Sequence, residues 1–128
     1  SALELVERFN HFYAENEEIL PSAGDALVQG DYEAFGERVH HSHTNGVLLL
    51  KNQVPETEAL ATLAYENGAV AASAFGAGFG GSVWALIQRT DAEQFMSQWA
   101  EAYQNEFAET AQKSSFFITE AGPGAFAL

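Results

Sequence analysis

Apolar residues recur every three or four positions over long parts of this chain, and that spacing predicts a series of amphipathic helices. The first helix is predicted over residues 2–20. Pro21 is expected to end or kink it, because proline lacks an N–H and its ring clashes with the preceding turn. A short helix over 22–29 follows, and Gly30 is its expected C-cap.

Two more helices are predicted before the pattern changes. Asp31 is the expected N-cap of a helix over 32–44, which the dipeptide at 45–46 breaks. The apolar residues 47–50 are expected to form a connector. Another helix is predicted over 55–66, because proline is favoured in the first turn of a helix.

A glycine-rich segment then separates two apolar runs, which predicts a strand, a turn and a second strand over about 69–88. Residues 76–81 hold four of the chain's eleven glycines. Strand side chains alternate between faces, so the even-numbered positions from Ala72 to Gly80, all alanine or glycine, leave one face nearly bare. Such a face suits close approach by another group. Phe75 and Phe79 lie on the opposite face and are expected to pack in the core.

The rest of the chain completes an α+β pattern. Thr90 and Glu93 form a candidate capping box for a long helix that reaches about residue 111. Two further strands are predicted at 115–119 and 125–128. The expected fold is therefore one domain over the whole chain, an antiparallel sheet of about four strands with helices packed on it.

Composition narrows the possible functions. The absence of cysteine excludes disulfides and thiolate metal sites. A net charge of −13 with five Lys and Arg residues argues against nucleic-acid partners and against anionic membranes. Neither a transmembrane run nor a signal peptide is found, which favours the cytoplasm. A start at Ser1-Ala2 without methionine predicts an excised or processed piece of a longer protein.

Two local clusters are candidate sites. His40, His41 and His43, with Glu37, could bind a metal, but their position in the last turn of the helix favours a solvated or helix-terminal histidine group, and no metal site is predicted. Successive N–H groups of the glycine-rich segment could form an anion-binding nest, or its glycines could simply shape a tight hairpin. The segment lacks the Gly-Lys-Ser/Thr of a P-loop and does not open a helix, so neither common phosphate motif fits.

An ordered set of segments resembles the C-terminal domain of galactokinase, a member of the GHMP superfamily of small-molecule kinases. The resemblance covers nearly the whole chain from about residue 10, and the glycine-rich segment is similar to the third motif of the family. The segments are Gly30-Asp31-Tyr32-Glu33-Ala34-Phe35-Gly36, Ser42-His43, Pro55-Glu56, Gly76-Ala77-Gly78-Phe79-Gly80-Gly81 and Gly122-Pro123-Gly124-Ala125.

The resemblance implies a ferredoxin-like C-terminal domain of a kinase that uses ATP and Mg²⁺ to phosphorylate the 1-hydroxyl of galactose. It places the catalytic Asp, the sugar-binding residues and the main phosphate loop in an N-terminal half, so no catalytic residue is expected here and this piece alone is expected to be inactive. The implied nucleotide-binding residues form one wall of the cleft between the halves, and they are Gly76, Ala77, Gly78, Phe79, Gly80 and Gly81.

Three positions depart from the family pattern. Ser73 and Phe75 stand where the family usually has Arg and Thr, and Ser82 stands where Cys is common. These changes remove a potential charge partner and make the implied cleft less polar. They leave open a first rival hypothesis, a non-catalytic relative that senses sugar and nucleotide. Two other rival hypotheses come from features described above: a free-standing protein-interaction module that docks through the bare hairpin face, and a metal-dependent hydrolase that uses the histidines.

Overall fold

The computed structural model describes residues 1–123, which form a mainly helical fold around one β-hairpin. Two helical turns of the π type interrupt or extend the helices, at Ala14–Ile19 and at Gly46–Leu50. A short 3₁₀ turn, Arg89–Asp91, precedes the long fifth helix. The regular elements in chain order are α1 (Ala2–Tyr13), α2 (Leu20–Gln29), α3 (Tyr32–Asn45), α4 (Pro55–Glu66), β1 (Ala71–Phe75), β2 (Ser82–Leu86), α5 (Ala92–Glu106) and α6 (Ala108–Ala111).

The helix does not end at Pro21, so of the two predicted effects, an end or a kink, the end is wrong. The chain remains helical from α1 through the π turn into α2, where Pro21 lies in the first turn. The N–H of Leu20 bonds to the carbonyl of Glu15, five residues back, and this wider turn makes room for a ring that a regular turn would exclude. The predicted caps are confirmed: Gly30 is left-handed at φ +71°, and the Asp31 carboxylate accepts the N–H of Ala34 at 3.0 Å.

The segment after α3 also differs from its prediction. Gly46 continues the helix rather than breaking it, and residues 47–50 form the second π turn instead of a connector. That turn ends at Lys51, whose φ is +55°. The helix predicted over 55–66 is confirmed as α4.

β1 and β2 pair in antiparallel register, with Ser73 opposite Trp84. The other edge of β1 is bonded by side chains rather than by a strand. The Tyr65 hydroxyl accepts the N–H of Ala72 at 3.0 Å and donates to its carbonyl at 3.1 Å. The ring Nδ1 of His43 accepts the N–H of Ala74 at 3.4 Å. This edge is therefore closed by α3 and α4.

The core lies between α4, α5 and β1. It consists of Leu63, Ala64, Ala69, Ala72, Phe95, Trp99 and Tyr103. The buried Trp99 indole donates to the carbonyl of Leu60 at 2.8 Å, which ties α5 to α4. Such an indole usually needs a partner when it is removed from water.

The C-terminal third is less regular than predicted. Thr90 donates to the Asp91 side chain and caps nothing, so α5 begins at Ala92 without the predicted capping box. Phe107, at φ −129°, separates α5 from α6, so the predicted single helix is interrupted.

The structure confirms the α+β class but not four strands. Residues 1–123 contain one two-stranded sheet, and the predicted strand at 115–119 is irregular. Its Phe116 ring packs edge-on against Trp99 with ring centres 5.2 Å apart, so aromatic packing rather than strand pairing holds the segment. The last predicted strand, 125–128, lies outside the described residues. Within residues 1–123, no helix is both long and apolar enough to cross a membrane.

Candidate functional site

The glycine-rich segment 76–81 is the loop that joins β1 to β2. Its backbone is unusual, because all but one of its residues have positive φ. The values are +94° at Gly76, +87° at Gly78, +60° at Phe79, +114° at Gly80 and +99° at Gly81. Glycine adopts this region freely, whereas Phe79 does so at a cost of about 1–2 kcal/mol. The glycines are therefore needed for the path of the loop.

Asn52 anchors this loop from outside the hairpin. Its backbone carbonyl accepts the N–H of Phe79, and its side-chain amide donates to the carbonyl of Ala77 at 3.3 Å. Asn52 directly follows the left-handed Lys51 at the end of the second π turn, so the irregular end of α3 sets the position of the anchor. Nothing in the sequence pattern linked Asn52 to the loop, since their contact is made only by the tertiary fold.

Gly78 and Gly80 are required in the loop for different reasons. A Cβ on Gly78 would lie 2.2 Å from the Asn52 carbonyl oxygen, so that position needs glycine for both its φ and its close contact. A Cβ on Gly80 would meet no heavy atom within 4 Å, so only its φ of +114° requires glycine. The expected close approach is thus made at Gly78, by this chain itself.

The loop end of the hairpin is open to solvent. Phe75 and Phe79 are 58% and 75% exposed, so the prediction that both pack in the core is wrong. The helices contact β1 from its start, where Ala72 is fully buried, to Ala74, whose N–H bonds to His43, and the hairpin extends beyond them. The bare even-numbered face is accordingly divided: its Ala72 end lies in the core, and its glycine end is accessible.

Most backbone N–H groups of the loop have no hydrogen-bond partner outside the hairpin within residues 1–123. Across residues 1–123, Phe79 is the one loop residue whose N–H bonds to a group outside the hairpin. Concave anion-binding nests form where successive backbone N–H groups adopt an αR–αL or turn conformation. Within the loop, Ala77 does not have positive φ and is followed by the left-handed Gly78. The nearest cation along the chain to the anchor, Lys51, already pairs with Glu7 at 2.7 Å. This pairing leaves Lys51 less available to balance the negative charge of a ligand.

A groove of about 490 Å³ opens beside the loop. Phe75 and Gly81 contribute to it from the hairpin, and Trp84, Phe116 and Phe117 contribute apolar surface farther along. The loop thus borders a concave surface as well as open solvent.

Of the three clustered histidines, His43 contacts the hairpin directly. His43 is half-buried and accepts the Ala74 N–H through Nδ1, with the Ser73 hydroxyl 3.4 Å from the same atom. His40 packs edge-on against the Tyr65 ring at 5.2 Å. Burial, and to a lesser degree the nearby His40, lowers the pKa of His43, while Glu58 opposes this. A neutral ring can accept the Ala74 N–H, whereas a protonated one cannot.

No three His, Asp or Glu side chains in residues 1–123 come together as a candidate metal site. Glu37, proposed as a fourth ligand, instead lies 3.9 Å from Arg38 on the surface. The described part of the chain therefore gives the hydrolase hypothesis no ligand set.

Comparison with known proteins places this arrangement in a family. Residues 25–105 match the family described as GHMP kinases C terminal. A galactokinase of Exiguobacterium sibiricum is 34% identical over 122 residues, which cover 94% of this chain and 30% of that protein. A galactokinase of Streptococcus thermophilus is 32% identical over 124 residues, covering 96% and 31%. The chain thus spans about 30% of the length of the curated relatives it matches. Since the matching region takes up well over half of its residues, the chain belongs to the GHMP kinase C-terminal domain family.

Proposed function

We propose that this chain is the C-terminal part of a galactokinase-like sugar kinase. The parent enzyme transfers the γ-phosphate of ATP to a sugar hydroxyl, and the 1-hydroxyl of galactose is the first substrate to test. The observation that carries the proposal is the exposed loop 76–81, whose left-handed backbone leaves N–H groups available. Family membership and the galactokinase relatives support the reaction class.

In this proposal the loop forms one wall of the active cleft. Its glycines let a phosphate oxygen approach the backbone, and Asn52 keeps the loop in one conformation before the ligand arrives. Phosphoryl transfer depends mostly on positioning and charge stabilisation, so a wall without reactive side chains still contributes. Gly76, Ala77, Gly78, Phe79, Gly80 and Gly81 are the proposed nucleotide-binding residues.

The charge needed for catalysis is assigned to the rest of the parent. Bound Mg²⁺ would neutralise the charge that develops on the phosphates. This chain offers backbone N–H groups that fit a phosphate oxygen, but residues 1–123 provide no three-ligand cluster for the metal. The upstream half would therefore hold Mg²⁺, the catalytic groups and the sugar, and the 128-residue chain alone would be inactive.

A phosphorylation screen of the full-length parent tests the proposal. We expect ATP-dependent phosphorylation of galactose or a related sugar, and a loss of activity in Gly80→Val, because valine strongly disfavours φ of +114°. Gly24→Ala is the matched control, since it lies in α2 with open space around it. A parent that phosphorylates no sugar would favour the sensing relative, and unchanged turnover in Gly80→Val would refute the role of the loop.

Titration of the 128-residue chain with Mg-ATP tests whether nucleotide binding requires the upstream half. We expect no measurable binding, because the chain carries a net charge of −13. Tight binding by this chain alone would show that the nucleotide site does not need the other half.

A further inference from the structure

Helix α1 has its polar side turned toward the fold and its apolar side turned toward solvent. The half-buried residues of α1 and the turn after it include Glu7, His11 and Glu15. The Glu7 carboxylate accepts a hydrogen bond from the Lys51 ammonium at 2.7 Å, and Nε2 of His11 lies 3.9 Å from the Oε1 atom of Glu15. An amphipathic helix in a complete fold normally shows the reverse orientation.

The outward side of α1 forms a continuous apolar surface, which we call the α1 face. Leu5, Phe9 and Phe12 are spaced for one side of a helix and are 70%, 64% and 65% exposed. Val6 and Tyr13 widen the surface and are more than half exposed. No residue of α1 is buried. Single exposed apolar residues are common, but a contiguous patch of this kind marks an interaction site.

Charge indicates what covers the α1 face. A second copy is a poor partner, because it would bring together two chains that each carry a net charge of −13. Exposed acidic side chains lie on α1 and in the turn after it, including Glu4, Glu17 and Glu18, and the exposed Arg8 lies beside Leu5 and Phe12. The complementary surface is therefore apolar at its centre, and the net charge of −13 disfavours a strongly acidic partner.

Length indicates where that surface comes from. The curated relatives are about three times longer than the part matched here, and the matching family is the C-terminal part of GHMP kinases. A preceding segment would enter this fold at the start of α1. This inference rests on the proposed function in one respect: it takes the chain to be part of such a longer kinase.

We infer that the α1 face is the surface on which the upstream half of the parent kinase docks. Leu5, Phe9 and Phe12 are its central contacts. This contact is separate from the glycine-rich loop, so the two halves meet through α1 as well as across the cleft. The helix that appears inverted in this chain is amphipathic in the usual sense once the upstream half covers it.

Peptide-resolved maleimide labelling of single-cysteine variants tests the inference, because residues 1–128 contain no cysteine. Phe9→Cys probes the α1 face, and Gln98→Cys, exposed on α5, is the control. In the full-length parent we expect Phe9→Cys to label at least about tenfold more slowly than Gln98→Cys, since a covered site reacts only through opening. In the 128-residue chain we expect similar rates for the two variants.

Equal labelling rates in the full-length parent would overturn the inference. Protection of Phe9→Cys in the 128-residue chain, with a dimer in solution, would overturn it in favour of a second copy. Labelling does not depend on catalysis: a parent without kinase activity but with a protected α1 face refutes only the proposed function. An active parent with an accessible α1 face refutes only the docking.

A second measurement tests the docking without an introduced cysteine, which could itself change the structure around position 9. The double variant Phe9→Glu and Phe12→Glu places two charges on the α1 face. We expect it to lower the melting temperature of the full-length parent. The matched control, Gln94→Glu and Gln98→Glu, adds the same charge at exposed positions of α5 and is expected to leave it unchanged. Equal effects of the two double variants would contradict the docking.

Discussion

The carbonyl of Asn52 accepts the N–H of Phe79, and the Asn52 side chain donates to the residue two positions before it, Ala77. One residue outside the hairpin thus holds the middle of the glycine-rich loop by both its backbone and its side chain. The backbone bond survives any substitution except one that moves the backbone, whereas the side-chain bond can be removed alone. This separation makes the anchor testable.

Asn52→Ala is expected to loosen the loop without unfolding the protein. It removes two neutral side-chain hydrogen bonds, the one donated to the Ala77 carbonyl and the one accepted from the Gln53 side-chain amide. Each contributes about 0.5–1.5 kcal/mol. Amide hydrogen exchange at Phe79 should become faster while exchange in the core stays the same. Asn105→Ala, at an exposed position of α5, is the control. Unchanged protection of the Phe79 amide in Asn52→Ala would show that the backbone bond alone fixes the loop.

Gly78→Ala is expected to destabilise the protein more than Gly80→Ala. Both place a side chain at positive φ, which costs about 1–2 kcal/mol, but only the Cβ at position 78 meets the Asn52 carbonyl, at 2.2 Å. Gly24→Ala in α2 should instead stabilise by about 0.5–1 kcal/mol, because alanine favours a helix. Urea unfolding of the three variants gives the order directly. An equal loss of unfolding free energy in Gly78→Ala and Gly80→Ala would mean that Asn52 moves away from the added Cβ at little cost.

Phe79→Gly is expected to leave stability unchanged or to raise it by up to about 1 kcal/mol. The side chain is 75% exposed, and glycine adopts φ of +60° without strain. Phe95→Ala is the contrasting variant: its ring is 6% exposed in the core, and removing it should cost about 3–5 kcal/mol. Thermal unfolding compares them. A large loss in Phe79→Gly would indicate packing by Phe79 that the structure does not show.

Stability is expected to fall as the pH drops below about 6.5, the ordinary pKa of histidine. Burial lowers the pKa of His43 in the folded chain. As the pH falls, the unfolded chain therefore binds a proton at a higher pH than the folded chain does, and the free energy of unfolding decreases. The contribution of neutral His43 to the free energy of unfolding is fully present above about pH 6.5, and it is lost as the pH falls toward the lowered pKa of the folded state. Urea unfolding at several pH values should show this slope. His43→Gln should reduce it, and His41→Gln, at an exposed position, should not.

Local signals in the sequence predicted those features that neighbouring residues decide. The left-handed Gly30, the capping carboxylate of Asp31 and the first turn at Pro55 each follow from the chemistry of one residue. The hairpin and the α+β class follow from the change in apolar period. The resemblance to the GHMP kinase C-terminal domain rested on the order of such segments, and the family match confirms it.

The wrong predictions concern features that tertiary contacts decide. Pro21 was expected to end or kink a helix, but the helix continues through it after a π turn. Phe75 and Phe79 have the composition of core residues, yet the hairpin carries them beyond the helices. The apolar pattern predicted α1 as an amphipathic helix, but periodicity does not say which side faces the fold. Asn52 was missed because an isolated asparagine gives no sign of a distant carbonyl partner.

The bonds of Tyr65 and His43 to β1 also determine how this sheet can grow. Unpaired strand edges invite other strands, and natural proteins block them to avoid edge-to-edge aggregation. Here two side chains occupy the outer N–H and carbonyl groups of Ala72 and the outer N–H of Ala74. A third strand must therefore add alongside β2. Protonation of His43 would leave the outer N–H of Ala74 unpaired, but Tyr65 would still occupy both outer groups of Ala72 and keep this edge closed to another strand.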